Sequence, residues 1–512
     1  MEAAPRPLTP SRSAAAATTT TTTTTHAPAA APAALWALAA ALTALRAAWA
    51  AATDLSPDEA YYWTWAVHGA HADHPPGVGW LIRAGVALLG PTELGVRAGA
   101  VACGILTLLA MHRLACHALD HAPEAARWAL GAAAAGALMP LGAAGAVIHT
   151  PDSALAAAWC LALLGLCRAE AAATTPRAAV ASLYLAGAAT AAGLWFKLTM
   201  GLFPLVALGT LLSSPAGRRH LRTPHPYLAL VPALASAAAL AARAAGANPF
   251  VFQIARAAER PGGVRALAEL AAAQLGVVTP LLAAGGAAFI AARPWRGRAL
   301  WWSAVVPLGF FAALALFTRP EASWPGVAWA GAVPGAAAWA YHAQARLPWM
   351  RRTALAALAL AGAAGAVAHV QALWPIVPLP TSADPTERLS GWRALGAAWT
   401  ARRDADPALP ACAEHWGLAA ALEFYDLPAH RPVCTLGAGA TTDSARWGRR
   451  APTFWPTGTT TAAGAIPAVP HAAERLVAAA APACADPAPA RLAGARPPRP
   501  PRAIIVSRCG AP

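Results

Sequence analysis

The sequence predicts an α-helical polytopic membrane protein: about eleven transmembrane helices, then a small C-terminal α/β domain. Three observations predict it. Only 12% of the 512 residues are charged and mean hydropathy is +0.45, whereas about a quarter of the residues of an ordinary soluble domain are charged. Apolar runs close to the roughly 20 residues that cross a bilayer recur along the chain. Beyond about Trp374 those runs shorten while Pro and charge become more frequent. Low charge with positive hydropathy excludes a disordered chain and argues against a single soluble enzyme. The net charge of +15 fits a membrane protein whose inner loops collect arginine, so no nucleic-acid partner is inferred.

Residues 1–29 are a Ser/Ala tract and a Thr run, read as a disordered low-complexity tail. They lack the basic stretch and short apolar core of a cleaved signal peptide. Residues 30–373 form the transmembrane region. Its apolar runs begin with Leu35–Thr53, Leu94–Leu119, Trp128–Ile148, Ala154–Cys167, Ala178–Phe196 and Leu198–Leu212. Tyr227–Ala245, Leu275–Ala292, Leu300–Phe317, Val327–Tyr341 and Leu355–Leu373 complete the set. With the N-terminus inside, the inner loops hold Arg113, Arg127, Arg168, Arg177, Arg218, Arg219, Arg222, Arg293, Arg296, Arg298, Arg346, Arg351 and Arg352. The outer loops hold Asp54, Asp58, Glu59, Asp73, Asp152, Glu259, Glu269 and Glu321. That is the positive-inside asymmetry, and an odd number of spans puts residues 374–512 outside. In that last part, 419–427 reads as helix, 431–436 and 503–507 as strands, and the Pro-rich 485–502 as loop. Cys103, Cys116, Cys160 and Cys167 lie in apolar runs and behave as small hydrophobes. Cys412, Cys434, Cys484 and Cys509 lie in the outer part, where disulfides are open to them in three pairings.

The chemistry concentrates in the first outer loop, Ser56 to Leu81, which places Asp58, Glu59, Asp73 and His74 among aromatics beside Pro75-Pro76. Ser56 suits an N-cap and Pro57 a first helical turn. Adjacent Asp58 and Glu59 then splay by about 100°, so only one of them faces a given target. The alternative is that both merely complement the helix dipole. The run after Pro76 is short and suits a helix lying in the interface. The second outer loop offers Asp152 after Thr150-Pro151, where spacing alone favours capping over chemistry. Lys197, the one lysine of the chain, breaks two apolar runs on the same face. Snorkelling explains such a cation, and so does contact with a phosphate oxygen. Arg256, Arg260 and Arg319 with Glu321 follow in later outer segments. Arg46, within the first span, is expected to pair with a carboxylate, because charge at membrane depth needs a partner.

Carboxylates on two outer loops beside isolated cations suit transfer of a group from a lipid phosphate. A carboxylate serves as general base toward an acceptor hydroxyl while cations steady the leaving phosphate. A lipid-linked substrate transporter or flippase is the reading from another class, since intramembrane charge and broken helices also serve transport. Against it stand the absence of an evident two-half repeat and the large outer domain.

At these residues the chain resembles the membrane glycosyltransferases of family 39, of GT-C fold, which include protein O-mannosyltransferases and lipid A aminoarabinose transferases. The resemblance rests on 58-Asp-Glu-Ala-Tyr-Tyr-Trp-63, Asp73-His74-Pro75-Pro76, 93-Glu-Leu-Gly-Val-Arg-97, Thr150-Pro151-Asp152, Lys197, 274–280 and Trp324-Pro325. It extends weakly to 423-Glu-Phe-Tyr-425 and 431-Arg-Pro-Val-433. It implies an inverting transferase that takes a sugar from a polyprenyl-phosphate donor to an envelope lipid, glycan or protein acceptor. The site would face outward from a bacterial inner membrane. It further implies catalytic Asp58 with Glu59 and Asp152, and substrate contacts from Tyr61, Tyr62, Asp73, His74, Lys197, Arg256 and Glu321. Where some relatives have Glu-Lys this chain has Asp73-His74, and Ser323 stands where relatives often have Asn. No cofactor is specified, although the carboxylates could hold a divalent cation. An outer domain whose main task is to bind a partner is a third reading.

Overall fold

The computed structural model describes residues 33–69, 73–119, 125–171, 175–243, 248–293, 297–380, 383–405, 411–413, 415–435, 472–478, 490–496 and 499–510. The expected N-terminal tail, residue 484 and the side chains of Cys412, Cys434 and Cys509 lie outside the described residues.

Helix begins where proline and a capping residue permit it. The first half of the chain forms α1 (Ala33–Ala52), α2 (Pro57–His68), α3 (Gly77–Leu89), α4 (Glu93–Ala118), α5 (Ala126–Leu138), α6 (Pro140–Gly145), α7 (Pro151–Glu170), α8 (Pro176–Leu194), α9 (Phe203–Ser213), α10 (Pro215–His220) and α11 (His225–Ala241). There follow α12 (Pro249–Ala258), α13 (Val264–Val278), α14 (Pro280–Ala292), α15 (Arg298–Ala315), α16 (Trp329–Ala343), α17 (Met350–Leu373), α18 (Trp392–Ala405) and α19 (Trp416–Phe424). Proline opens α2, α6, α7 and α8 at the first helical position, where its missing N–H has no intrahelical role.

Each of the eleven apolar runs carries helix. Among the described residues, six helices are long and apolar enough to cross a membrane, or seven if the bent pair α13–α14 is one span. The remaining runs form shorter or interrupted helices. The bend is 113°, made where Thr279 takes φ 83° before Pro280. Helix α7 packs against α4 and α8, and α8 against α11. Small residues allow this: a Cβ on Gly165 would stand 2.7 Å from the Ser182 carbonyl oxygen of α8. The four membrane cysteines are free, three of them buried.

The C-terminal part holds α18, α19 and a five-stranded sheet in the order β2-β1-β3-β5-β4, from β1 (Ala411–Ala413), β2 (Cys434–Thr435), β3 (Ala472–Ala478), β4 (Ala490–Arg496) and β5 (Arg499–Gly510). Strand β1 pairs in parallel with β2 and β3, while β5 is antiparallel to β3 and β4. The expected loop 485–502 is corrected here: 490–496 and 499–502 are strand. The alternating Ala-Arg-Leu-Ala pattern of β4 supports pairing, and the prolines fall outside it or at the irregular end of the β4–β5 ladder.

One buried ion pair fixes how α1, α2, α4 and the loop before α7 meet. Ser56 and Glu59 form the reciprocal capping box of α2. Glu59 also receives Arg97 of α4 through both oxygens, Nε to Oε1 at 2.7 Å and Nη2 to Oε2 at 2.8 Å. The backbone N–H of His149 donates to the same carboxylate at 3.0 Å. The Nη1 and Nη2 groups of Arg97 continue to the carbonyls of Ala50, Thr53 and Asp54 and to the Thr53 hydroxyl. Both side chains are fully buried. Breaking such a pair leaves an unmatched buried charge, at about 3–5 kcal/mol. Glu59→Gln and Arg97→Met are therefore expected to lower the melting temperature in detergent far more than Asp58→Asn does. Equal melting temperatures for the three variants would refute this assignment.

Candidate active site

The geometry of α2 separates its two acidic neighbours. Glu59 turns inward to Arg97, whereas Asp58 stays partly exposed at the helix N-terminus. Asp58 faces Arg388, with which it is hydrogen-bonded and ion-paired. Burial raises the Asp58 carboxyl above the ordinary carboxylate range, outweighing the pull of Arg388. One turn on, Tyr62 reaches the same face. Burial raises its hydroxyl pKa well above 10, and Asp58, Asp73, Asp152 and Glu321 each raise it further. Carboxylates from four separate segments thus act electrostatically on one tyrosine hydroxyl.

Asp152 begins α7 but does not cap it. Its carboxylate receives Lys197 Nζ at 2.7 and 2.8 Å, one hydrogen bond to each oxygen. The Lys197 segment is seated by the first loop: Gly77 N–H donates to the Trp195 carbonyl at 2.8 Å. A Cβ on Gly77 would stand 2.5 Å from that oxygen and 2.6 Å from the Phe196 ring, so this contact requires glycine. Tyr62 lies 6.2 Å from the His74 ring. The His74 imidazole is pushed down to about 3, first by burial and then by Lys197 and Arg256, so it is neutral at physiological pH. Asp73 is buried, and its carbonyl accepts Gln253 Nε2 of α12 at 2.8 Å. Arg256 and Arg260 both reach Glu321, at 3.0 and 3.2 Å. Next to them, Gln274 ties α13 to the Trp324-Pro325 turn, donating to the Ala322 carbonyl and accepting from Trp329 Nε1.

Two comparisons bear on this arrangement. The family model of dolichyl-phosphate-mannose-protein mannosyltransferases matches residues 73–241, which include Asp73, His74, Asp152 and Lys197. ArnT from Cupriavidus metallidurans in the apo state superposes with a TM-score of 0.61 at 17% identity, over 92% of this chain and 97% of that one. The chain has the fold of ArnT, the GT-C fold. The structure of the same ArnT bound to undecaprenyl phosphate gives 0.60 at 17% identity over the same shares. The Archaeoglobus fulgidus oligosaccharyltransferase in complex with Zn and sulfate gives 0.50 at 14%, over 78% of this chain and 61% of that one. No curated protein sequence matches.

In this GT-C fold the residues expected at the site divide into two sets. Asp58, Tyr62, Asp73, His74, Asp152, Lys197, Arg256 and Glu321 converge at one end of the bundle. Glu59 is placed apart from them: the 100° step along α2 turns it into the core, where it is held by Arg97. Tyr61 likewise lies apart, 2% exposed and packed on Trp416 of α19 at 4.6 Å. Arg388 was not foreseen. It is one arginine among many in a Pro-rich stretch, and nothing local marks it as the partner of Asp58. Among the described residues no group of three or more His, Cys, Asp or Glu is arranged to hold a metal ion.

Two outcomes test this geometry. Gly77→Ala is expected to cost roughly 1–3 kcal/mol by overpacking against the Trp195 carbonyl. Gly131→Ala, which meets open space, is expected to be neutral. Thermal unfolding of the two variants decides, and equal stability would refute the close contact. The second outcome concerns pH. The depressed pKa of His74 contributes stability that is fully present above the free-imidazole value of about 6.5 and is lost as pH falls from there toward 3. Between pH 7.5 and 5 the wild type should therefore lose more thermal stability than His74→Gln. Parallel pH profiles would show that His74 is not buried neutral.

Proposed function

We propose that this chain is a glycosyltransferase that moves a sugar from a polyprenyl-phosphate donor to an acceptor hydroxyl beside Asp58 and Tyr62. The observation that carries the reading is the set of ion pairs Lys197–Asp152 and Arg256–Glu321 at the same end of the bundle as Asp58 and Tyr62, close enough for those carboxylates to act on the Tyr62 hydroxyl. A lipid-linked donor is in keeping with the ArnT structure bound to undecaprenyl phosphate. The acceptor is a lipid, glycan or protein of the envelope. The site faces away from the cytoplasm, in line with the arginine-rich loops at the opposite end of the bundle, and α19 packs against α2 beside it.

Asp58 acts as the base. It is partly exposed at the start of α2, and its raised pKa makes it a better proton acceptor than an ordinary surface aspartate. The acceptor oxygen attacks the anomeric carbon, the bond from that carbon to the phosphate oxygen breaks, and the acceptor proton passes to Asp58. Lys197, held by Asp152, and Arg256, held by Glu321, stabilise the charge left on the lipid phosphate. Each cation is paired before substrate arrives, so its side chain is already ordered. His74 is neutral and contributes a hydrogen bond to the phosphate, not a charge. Arg388 occupies Asp58 in the empty site and must release it when the acceptor enters.

Asp58→Asn is expected to lower kcat by about 10²–10⁴-fold in membranes supplied with a polyprenyl-phosphate sugar, the usual range for loss of a general base. Lys197→Ala should raise donor KM with a smaller effect on kcat. Undiminished transfer by Asp58→Asn would remove its assignment. Lipid flipping without any sugar transfer by the wild type would overturn the whole reading in favour of a transporter.

A further inference from the structure

Arg46 lies in α1 about 9 Å below its outer end, counting 1.5 Å per residue from Ala52. The expectation that it pairs with a carboxylate is corrected by the structure. Its Nη2 donates to the Ala137 carbonyl at 3.1 Å, while Nη1 is buried and has no partner among the described residues. The residue is 3% exposed. A guanidinium at that depth carries a charge that backbone oxygens satisfy only in part, and such charges occur with a counter-charge or on a polar cavity.

A cavity is present. About 100 Å³ is open between α1, α4, α5, α6, α7 and the turn after Ser323, lined by Arg46, Thr107, Asp152, Ser153 and Ser323 among small apolar residues. That is well above the ~10–15 Å³ needed by a single water. Glycine makes the room: Gly104, Gly136, Gly142, Gly145 and Gly326 all line it, and a Cβ on Gly104 would stand 3.1 Å from Arg46 Nη1. The acidic side chain on its wall, Asp152, is neutralised by Lys197 through both oxygens. The hydroxyls of Thr107 and Ser153 donate to backbone carbonyls. What the cavity lacks is negative charge, and what it offers is an unused donor on a buried cation.

We propose that Arg46 is the floor of an anion subsite beneath Asp152, which takes a small oxyanion. Two sources share that chemistry: a carboxylate carried on the transferred sugar, or a free inorganic anion held in the cavity. The first source rests on the glycosyl-transfer reading above; the second does not. Because Asp152 borders both the cavity and the cleft, a charged substituent on a sugar held in the cleft would project toward Arg46.

The test uses the full chain in detergent at constant ionic strength. Formate and inorganic phosphate, titrated separately, are expected to raise the melting temperature of the wild type saturably. Arg46→Met should abolish the shift; if it does not fold, Arg46→Lys should keep the shift with a weaker midpoint, because a point charge replaces the fork. In parallel, transfer is measured from a uronic-acid polyprenyl-phosphate donor and from its neutral hexose counterpart. A wild-type kcat/KM about tenfold or more in favour of the acidic donor, lost in Arg46→Gln, assigns the anion to the sugar; tenfold is the scale of one charge-assisted hydrogen bond. Equal kcat/KM with a saturable, Arg46-dependent stabilisation assigns it to a free anion. No saturable stabilisation together with no donor discrimination overturns the proposal. Failure to transfer from either donor would count against the glycosyl-transfer reading alone, since the stabilisation arm stands without it.

Discussion

The contact between Glu59 and Arg97 is the constraint on which the site depends. Two oxygens of one carboxylate take the guanidinium fork, the Ser56 N–H and the His149 N–H. The remaining guanidinium hydrogens take the carbonyls at the end of α1. A buried ion pair of this kind gains little net energy from charge alone, because removing both ions from water is costly. Its value here is geometric. The first outer loop, the start of α4 and the loop before α7 can meet in only one way that satisfies every donor. Asp58 is therefore placed by its neighbour's burial, and Asp152 by the hydrogen bond from His149 three residues earlier.

The C-terminal segment is bound to the same region by a second polar layer. Asp54 accepts the backbone N–H of Trp392 at 2.7 Å at the start of α18, and Tyr425 accepts the N–H of Leu55 at 2.7 Å. Further along α2, His68 and Glu423 meet at 2.7 Å. Trp63 packs edge-on to Phe424, and Tyr61 against Trp416. Helix α2 is thus a shared element: one face carries Asp58 and Tyr62, the other is core for the C-terminal part. That division explains why two adjacent tyrosines, Tyr61 and Tyr62, have different surroundings.

Much of the architecture was legible from the order of residues. Ser56 and Pro57 signalled the start of α2, and the apolar runs mark where helix forms. The clustering of carboxylates at one end and arginines at the other follows from loop position alone. Other features were not legible because they depend on which way a side chain turns. Glu59 and Asp58 are indistinguishable as letters, and only the buried Arg97 determines which of them is consumed in the core. Spacing favoured Asp152 as a helix cap, yet Lys197, 45 residues later, takes its carboxylate. Arg388 is 330 residues from Asp58, and no local pattern links them.

The sequence by itself determined the class of the molecule and the chemical types at its outer loops, because hydropathy and charge are properties of composition and order. The tertiary structure decided the roles. Lys197 drew attention as the chain's one lysine, and folding made it the partner of Asp152. Arg46 was expected to find a carboxylate, and folding left its Nη1 facing a cavity. The physical reason is common to both: pairing of buried charge is settled by three-dimensional proximity in a low-dielectric interior, where one unmatched donor matters more than any number of exposed ones.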